Sequence, residues 1–374
     1  MVFTRIMEGY QSIDNLVSKI GDAIPIRMNV EFEFLPYERK TLMQKRRLLR
    51  SVFRRHKPPI VIGRHMGSGG FADVFTATSD YDGVTDFAIK ILRKELLEIR
   101  KGPQFNREDE EMRVKEVKQR FKNESYVQWD LSKSVSESVA NSVVPVYDHG
   151  EFDSNHEFRF ILMERMDSTL RDYINDNLSV ETDPWKLLCK IRIMLRIAEK
   201  INNVHNEGIF HRDIKPENIL FPKGKSPRVL CKDCKSSGCR CAVDVRIADF
   251  GTVRWIKSYT DKYDAVIIGS QFYMSPEQII NPRTIDKRTD IYSFGIVCYE
   301  LFYGTHPKTK CIMSHSPDLL NKLALEQPDP RTPPQGFEPV HDIIYKCLNN
   351  RNIRYQNMEQ VRKELSDFLA KKEA

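Results

Sequence analysis

The sequence predicts an α+β fold in which a small antiparallel-sheet lobe precedes a larger, mainly helical lobe. From Ile60 onward, short apolar strands alternate with glycine turns, whereas from Leu170 the apolar residues recur with the period of a helix. The chain has 374 residues, of which 40% are hydrophobic and 30% charged, so it can fill two lobes with a substantial core. A mainly disordered chain is not expected.

Three regions follow one another in this interpretation. Residues 1–57 are an N-terminal extension with a basic helix, residues 58–166 form the sheet lobe and a hinge, and residues 167–374 form the helical lobe. The helical lobe contains a cysteine-rich insert at residues 222–242.

The extension carries most of the net charge. It holds 12 Lys and Arg against 6 Asp and Glu, which accounts for +6 of the formal charge of +7. Alternation at residues 30–34 predicts a short strand, and residues 39–57 predict a basic helix. Three roles remain open for this helix: packing against the small lobe, contact with an acidic partner or a membrane surface, and autoinhibition.

The periodicity and turn signals predict the following elements in the two lobes. From Ile60 they are a strand, a glycine-rich turn and a strand, followed by a second strand pair with Asp82-Gly83 as its turn. Further along are a charged helix at 108–133, strands at 143–147 and 158–163, and helices at 185–206 and 290–303.

The composition excludes several classes of protein. No run of 18 apolar residues occurs and the first residues do not resemble a secretory signal, so we expect a cytoplasmic protein without a transmembrane segment. The residues after position 57 are nearly neutral, which argues against nucleic acid as a partner. Four cysteines in apolar segments are interpreted as reduced core thiols: Cys189, Cys298, Cys311 and Cys347.

A glycine-rich turn between two predicted strands is the first candidate binding element. It reads Gly67-Ser68-Gly69-Gly70-Phe71-Ala72-Asp73-Val74, and its glycines let backbone amides approach a triphosphate without obstruction. Alone, this pattern also fits an ordinary hairpin. Lys90 ends the apolar strand that follows, where a partly buried ammonium needs an anionic partner.

The segment His211-Arg212-Asp213-Ile214-Lys215-Pro216-Glu217-Asn218, with Asp249-Phe250-Gly251 downstream, is far more specific. It combines carboxylates, an amide and a lysine on predicted loops. Phosphoryl transfer requires this set, because it needs metal ligands, a group near the hydroxyl proton and positive charge near the moving phosphate. His211 is expected to pack and hold the loop rather than to act as a base.

Together these motifs resemble the Hanks-type (eukaryotic-like) serine/threonine protein kinases, in the manner of bacterial members, from about residue 60 to residue 369. The resemblance implies a two-lobed protein kinase fold with one regulatory helix in the sheet lobe. It also implies ATP-dependent phosphorylation of protein serine and threonine hydroxyls, with autophosphorylation of the activation segment between Thr252 and Ser270. Lys215, two residues after Asp213, matches the serine/threonine pattern rather than the tyrosine pattern.

The resemblance assigns roles to individual residues. Asp213 is similar to the catalytic aspartate, and Lys215 is similar to the lysine that contacts the γ-phosphate. Lys90 is similar to the lysine that holds the α- and β-phosphates, and Glu124 to the helix glutamate that pairs with it. The implied ATP-binding residues are Gly67, Ser68, Gly69, Gly70, Phe71, Ala72, Val74, Ala88, Lys90, Met163, Glu164 and Met166.

The implied cofactors are ATP and Mg²⁺, with Mn²⁺ as an alternative metal. Asn218 and Asp249 are similar to the magnesium ligands of the family. The resemblance further implies that Glu277 pairs with Arg354, and that Asp290 braces the catalytic loop. Ala72 and Ser275 depart from the usual glycine and alanine, but both are small.

Two other classes of protein share this fold. A pseudokinase that only binds partners would have lost the lysine, the catalytic aspartate or a metal ligand, and all of these are present. Small-molecule phosphotransferases of this fold generally lack the Ser275-Pro276-Glu277 segment end and its arginine tether. A protein substrate is therefore favoured.

Four clustered cysteines in the insert, Cys231, Cys234, Cys239 and Cys241, are candidate ligands of a structural zinc ion. A Cys-x-x-Cys and a closing Cys-x-Cys around Gly238 can supply four thiolates to a tetrahedral site. A redox-active pair and an unliganded hairpin are the alternatives. The kinase resemblance does not extend to this motif, and the sequence does not specify the substrate, the activating signal, the source organism or the oligomeric state.

Overall fold

The computed structural model describes residues 26–28, 60–79, 86–102, 104–152, 158–177, 183–227, 242–252, 254–255, 271–314 and 318–373. The predicted strand at 30–34, the basic helix at 39–57, the Asp82-Gly83 turn and the four clustered cysteines lie outside these residues. The roles considered for the basic helix therefore stay predictions. The predicted boundaries at 57/58 and 166/167 stay predictions as well.

The described residues fall into two compact units. The first contains those within Met1–Ser125 and Val146–Arg165, and the second those within Tyr126–Pro145 and Met166–Ala374. The first unit is built on a sheet and the second is mainly helical. This confirms the predicted α+β class.

The sheet of the first unit has six strands in the order β1-β2-β3-β4-β6-β5, with antiparallel neighbours throughout. The strands are β1 (Ile26–Met28), β2 (Ile60–Ser68), β3 (Ala72–Ser79), β4 (Asp86–Leu92), β5 (Val146–Phe152) and β6 (Phe158–Glu164). Strand β4 is almost fully buried because it has neighbours on both sides. Apart from Lys90, the residues from Phe87 to Leu92 are apolar, as expected for a central strand.

Helix α1 (Arg107–Ser132) matches the predicted charged helix at 108–133. Its first turn is acidic, which complements the positive end of the helix dipole. Glu110, Val117, Phe121 and Glu124 are buried and recur at helical spacing, so one face of this polar helix is covered.

The second unit contains nine further α-helices and five short strands within its described residues. The helices are α2 (Glu137–Ala140), α3 (Leu170–Asp176), α4 (Pro184–Asn206), α5 (Pro276–Ile280), α6 (Arg288–Tyr303), α7 (Thr309–Met313), α8 (Leu319–Leu325), α9 (Glu338–Cys347) and α10 (Met358–Glu373). The strands are β7 (Ser168–Thr169), β8 (Ile209–Phe210), β9 (Ile219–Phe221), β10 (Arg246–Ile247) and β11 (Arg254–Trp255).

Helix α6 is the centre of the second unit. Every residue from Thr289 to Tyr303 is buried, which agrees with its largely apolar sequence. The helix ends at Gly304, whose φ of 72° is the left-handed conformation that glycine adopts without strain. Asp183 precedes helix α4 and caps it, because its carboxylate accepts a hydrogen bond from the N–H of Trp185.

The short strands position the loops that carry the candidate site. Strand β9 pairs with β7 and β10, and β8 pairs with β11. The segment 211–218 therefore lies between β8 and β9, and Asp249 follows β10.

The strand predicted at 143–147 begins three residues late, at Val146. Pro145 has no N–H to donate to a ladder, so pairing starts after it. Val143 instead forms a parallel bridge with Ile247, and the Val144 N–H donates to the Ile247 carbonyl at 3.0 Å.

Among the described residues, none of the helices combines the length and the apolar character needed to cross a bilayer.

Helix α6 packs closely against the C-terminal end of helix α9 at Gly295. A Cβ atom at this position would lie 2.7 Å from Cys347 Cβ and 3.0 Å from Leu348 Cδ2. Replacing glycine by alanine inside a helix gains about 1 kcal/mol of propensity, but overpacking costs about 1–3 kcal/mol. We expect Gly295→Ala to lower the free energy of unfolding by about 1–2 kcal/mol, measured by chemical denaturation.

Gly150→Ala is the control, because its Cβ would meet Phe160 Cε1 at an ordinary 3.4 Å. We expect it to change stability by less than about 1 kcal/mol. A Gly295→Ala protein as stable as the wild type would contradict the close helix approach.

Candidate active site

The glycine-rich turn connects β2 and β3 in the first unit. The Gly69 N–H donates to the Ala72 carbonyl at 2.8 Å, and Gly67 faces Val74 in the ladder. A Cβ atom on Gly67 or Gly70 would meet no described protein atom within 4 Å. The backbone here leaves room for a ligand to approach its amides.

Lys90 on β4 and Glu124 on α1 form an ion pair. The Lys90 Nζ lies 2.5 Å from Glu124 Oε1, and the two side chains are only 14% and 6% exposed. A charge this buried needs a partner, so each side chain stabilises the ionised form of the other. Lys90 faces Val74 in the sheet register, which brings the ion pair next to the strand that leaves the glycine-rich turn.

The other predicted nucleotide-binding residues of the first unit lie further along the same sheet. Ala88 faces Met163 in the β4–β6 ladder, and both are buried. Glu164 ends β6 opposite Phe87. Met166, the last residue of the predicted sheet lobe and hinge, is buried and belongs to the second unit.

In the second unit, Asp213 is held by two neighbours. The Lys215 Nζ lies 2.9 Å from Asp213 Oδ2. The Asn218 amide donates to the Asp213 carbonyl at 2.9 Å and is 3.4 Å from Oδ2. The structure therefore brings together three of the residues predicted from the His211–Asn218 motif.

The backbone before Asp213 is fixed by Asp290 of helix α6. Its carboxylate accepts hydrogen bonds from the N–H groups of His211 at 2.8 Å and Arg212 at 2.7 Å. Arg212 has a φ of 68°, a left-handed conformation that is strained for a residue with a side chain.

His205 completes this arrangement. Its Nε2 lies 2.8 Å from Asp290 Oδ2. Burial by itself would raise the pKa of Asp290, but the hydrogen bonds from His205 and the Arg212 backbone outweigh it and hold the pKa below its usual value. Asp290 thus stays ionised although it is fully buried.

Asp249 follows β10 and also has a left-handed φ of 68°. The next residue, Phe250, is fully buried and stacks edge-on against His211 with ring centroids 4.8 Å apart. The His211 Nε2 lies 3.0 Å from the Ala248 carbonyl. These contacts give His211 the packing role expected from the sequence.

A polar network around Arg171 was not predicted. The Arg171 Nε donates to Glu217 at 2.8 Å, its Nη2 lies 3.2 Å from Glu300, and it also contacts the Tyr273 hydroxyl. The Tyr273 hydroxyl donates to Glu300 at 2.8 Å. The network connects Glu217, in the segment 211–218, to helix α6. No local sequence pattern marks this network, because its residues lie far apart in the sequence.

The end of the predicted activation segment is anchored as the resemblance implied. Arg354 is fully buried and its Nη1 lies 2.7 Å from Glu277 Oε1. Ser275 caps helix α5, and the side chain of Gln278 in that helix donates to the Arg212 carbonyl at 2.9 Å. Gln278 therefore connects the end of the predicted activation segment directly to the predicted catalytic loop.

Comparison with known proteins gives an independent view. Residues 60–365 match the family model of the protein kinase domain. The serine/threonine-protein kinase PknB of Mycolicibacterium smegmatis is 28% identical over 81% of this chain and 42% of its own length. The probable serine/threonine-protein kinase PknB of Lactococcus lactis is 27% identical over 80% of this chain and 40% of its own.

A probable serine/threonine-protein kinase of Clostridium acetobutylicum is 30% identical over 82% of this chain and 39% of its own length. The chain thus spans about two fifths of the length of these relatives.

The folding stability of the second unit is expected to depend on pH through His306. Its Nε2 lies 2.9 Å from the Phe272 carbonyl, and its Nδ1 accepts a hydrogen bond from the Lys308 N–H at 3.0 Å. The neutral imidazole, with a donating Nε2–H, satisfies both contacts, whereas a protonated ring would direct a second donor at the Lys308 N–H. Burial lowers the pKa of His306 to about 4, from an ordinary value of 6.5.

Below pH 6.5 the unfolded chain therefore binds a proton at His306 that the folded chain does not bind until about pH 4. We expect this residue to remove on the order of 2–3 kcal/mol of stability between those pH values. The measurement is the free energy of unfolding against pH for the wild type and His306→Asn, which cannot titrate. Parallel curves for the two proteins would contradict the prediction.

Proposed function

The chain belongs to the protein kinase domain family, and on that premise we propose that it transfers the γ-phosphate of ATP to serine and threonine hydroxyls of proteins. The observation that carries the proposal is that each unit brings together residues with complementary roles in phosphoryl transfer. The first has the Lys90–Glu124 ion pair beside the glycine-rich turn, and the second has Asp213, Lys215 and Asn218 in mutual contact.

The residues fit ATP and a divalent metal ion. The open space at Gly67 and Gly70 suits backbone contacts to phosphate oxygens, and Lys90 supplies a positive charge near them. Asn218 and Asp249 offer oxygen ligands, which Mg²⁺ and Mn²⁺ prefer. No cluster of three His, Cys, Asp or Glu side chains that could hold a metal occurs among the described residues. Two protein ligands accord with magnesium, which is often bound by one or two side chains together with substrate phosphates.

A metal ion held by Asn218 and Asp249 would neutralise charge on the phosphates, and the steps of the proposed reaction belong to the residues of the chain. Asp213 orients the substrate hydroxyl and receives its proton as the new O–P bond forms and the bond to the β-phosphate oxygen breaks, releasing ADP. Lys215 and Asn218 hold the Asp213 carboxylate in a fixed orientation. Lys90, positioned by Glu124, binds the α- and β-phosphates. Met163, Glu164 and Met166 are proposed to contact the adenine.

Two features support a protein substrate with serine or threonine. The relatives are named serine/threonine-protein kinases, and Lys215 follows Asp213 in the pattern of that class. The buried Glu277–Arg354 pair supports a fixed platform at the end of the activation segment. The chain itself is proposed as one acceptor, with phosphorylation between Thr252 and Ser270. Residues 256–270 lie outside the described part of the chain.

We expect the purified chain, given ATP and magnesium, to phosphorylate itself or a generic basic protein on serine and threonine. Lys90→Met, Asp213→Asn and Asp249→Ala should each lower the rate at least about a hundredfold. Removing one charge from an electrostatically stabilised transition state costs about 3 kcal/mol or more. Radiolabel incorporation gives the rate, and mass spectrometry locates the phosphorylated residues.

Lys310→Met is the matched control, because this lysine side chain is 82% exposed and only distantly paired with Asp329. It should keep the wild-type rate. If Lys90→Met or Asp249→Ala also retained most of that rate, the proposed roles would be wrong. Fully active protein without phosphate between Thr252 and Ser270 would exclude autophosphorylation of that segment as a requirement.

We further propose that Cys231, Cys234, Cys239 and Cys241 bind one structural zinc ion. These residues lie outside the described part of the chain, so the support is their spacing alone. Four of the chain's 8 cysteines fall within this short segment. Four thiolates would complete a tetrahedral site without an open position, which suits a structural role in an insert too short for its own core.

Metal analysis of protein purified without a histidine tag should find about one zinc per chain. The double variant Cys231→Ser/Cys234→Ser should lose the zinc but keep nucleotide binding. The matched control is Cys298→Ser, which removes a buried core thiol and should keep the zinc. A stable wild-type protein without zinc would exclude the site.

A further inference from the structure

The strand leaving the glycine-rich turn is held by the residue that follows β4. The Arg93 N–H donates to the Phe71 carbonyl at 3.0 Å, which extends the β3–β4 pairing one step beyond Ala72 and Leu92. The Arg93 guanidinium donates twice to Asp73 Oδ1, from Nε at 3.1 Å and Nη2 at 3.0 Å. Arg93 therefore contacts the end of the glycine-rich turn through both its backbone and its side chain.

The strand entering the turn is connected to the same carboxylate. The His65 Nε2 lies 3.0 Å from Ser68 Oγ and 3.8 Å from Asp73 Oδ1. Burial would raise the pKa of Asp73, but hydrogen bonds with Arg93 and Ser68 outweigh it, so the pKa lies below its ordinary value. One ionised carboxylate thus links both strands of the hairpin.

The tip of the turn also contacts helix α1. The Arg120 guanidinium lies over the Phe71 ring, 5.3 Å from its centroid. Arg120 precedes Glu124 by one helical turn, so the turn and the Lys90–Glu124 pair share a supporting helix.

The Asp73–Arg93 pair is poorly suited to a purely structural role. The Arg93 side chain is 32% exposed, and ion pairs with that much access to water contribute little to folding stability. Glycine-rich segments, however, lose more conformational entropy than others when they become ordered. A contact that restrains such a segment before the ligand arrives lowers the entropic cost of binding.

We propose that Asp73 and Arg93 are positioning residues that hold Gly67–Val74 in the conformation that receives the phosphates of the nucleotide. The inference rests on the proposed function, since it takes ATP as the ligand of this turn. It assigns to the pair a contribution to phosphate binding and none to adenosine binding. The adenosine moiety is proposed to contact the other residues, around Ala88 and Met163.

The test compares the dissociation constants of magnesium-ATP and of adenosine, measured by calorimetry on the full chain. Asp73→Asn and Arg93→Gln should each weaken ATP binding roughly three- to tenfold while adenosine binding changes by less than about twofold. Both changes break the same contact, so the double variant should lose no more than the stronger single variant. Arg107→Gln is the matched control. It removes the exposed Arg107–Glu111 ion pair on α1 and should leave both dissociation constants unchanged.

The outcomes separate this inference from the proposed function. A wild-type chain that binds neither ATP nor adenosine would overturn the proposed function. If the wild type binds both and the two variants keep their ATP affinity, the positioning role is wrong. Equal losses for ATP and adenosine would also overturn it, because they would indicate a general disturbance of the sheet. Having two independent variants keeps the test open if one of them fails to fold.

Discussion

The candidate site of the second unit depends on one buried carboxylate, that of Asp290. An unpartnered carboxylate in this position would cost several kcal/mol, so its hydrogen-bond donors must be present whenever the unit is folded. Two of these donors are the consecutive backbone N–H groups of His211 and Arg212. Holding Arg212 in the left-handed region costs about 1–2 kcal/mol, and a hydrogen bond to a charged group contributes about 1.5–3 kcal/mol. The hydrogen bonds to the Asp290 carboxylate therefore offset the strain at Arg212. They fix the backbone that carries Asp213.

In the first unit, two buried glutamates of helix α1 form ion pairs with basic side chains. Glu110 and Glu124 lie about four turns apart on the buried face of α1. Glu110 accepts hydrogen bonds from Arg100 and Arg113, which hold the pKa of its carboxyl at about 2. Arg113 also donates to the Leu96 carbonyl at 2.9 Å. The segment that follows β4 is thereby attached to the start of the helix that presents Glu124 to Lys90.

Sequence reasoning predicted the fold class and those parts of the site that form continuous motifs. Gly67–Val74 and His211–Asn218 were identified because their chemistry requires fixed local spacing. The resemblance to a family supplied the distant pairs Glu277–Arg354 and Asp290 with the catalytic loop. Arg171 and His205 were missed, because each meets its carboxylate partner only after the chain has folded. Their residue types and neighbours are ordinary for helices, so periodicity alone could not single them out.

The two carboxylates Asp290 and Asp73 differ in how deeply they are buried, and this difference suits how much each bound segment has to move. Asp290 is fully buried, and under the proposed function the backbone it holds has to keep one conformation. The Asp73–Arg93 contact is more open, with side chains 11% and 32% exposed. Because charges interact more weakly where water is near, this contact can restrain the glycine-rich turn and still open. Under the proposed function the turn admits one nucleotide and releases another, and a contact that can open suits this exchange, since release of product often limits the rate of an enzyme. A fully buried pair at the same place would bind the turn more firmly and slow that exchange.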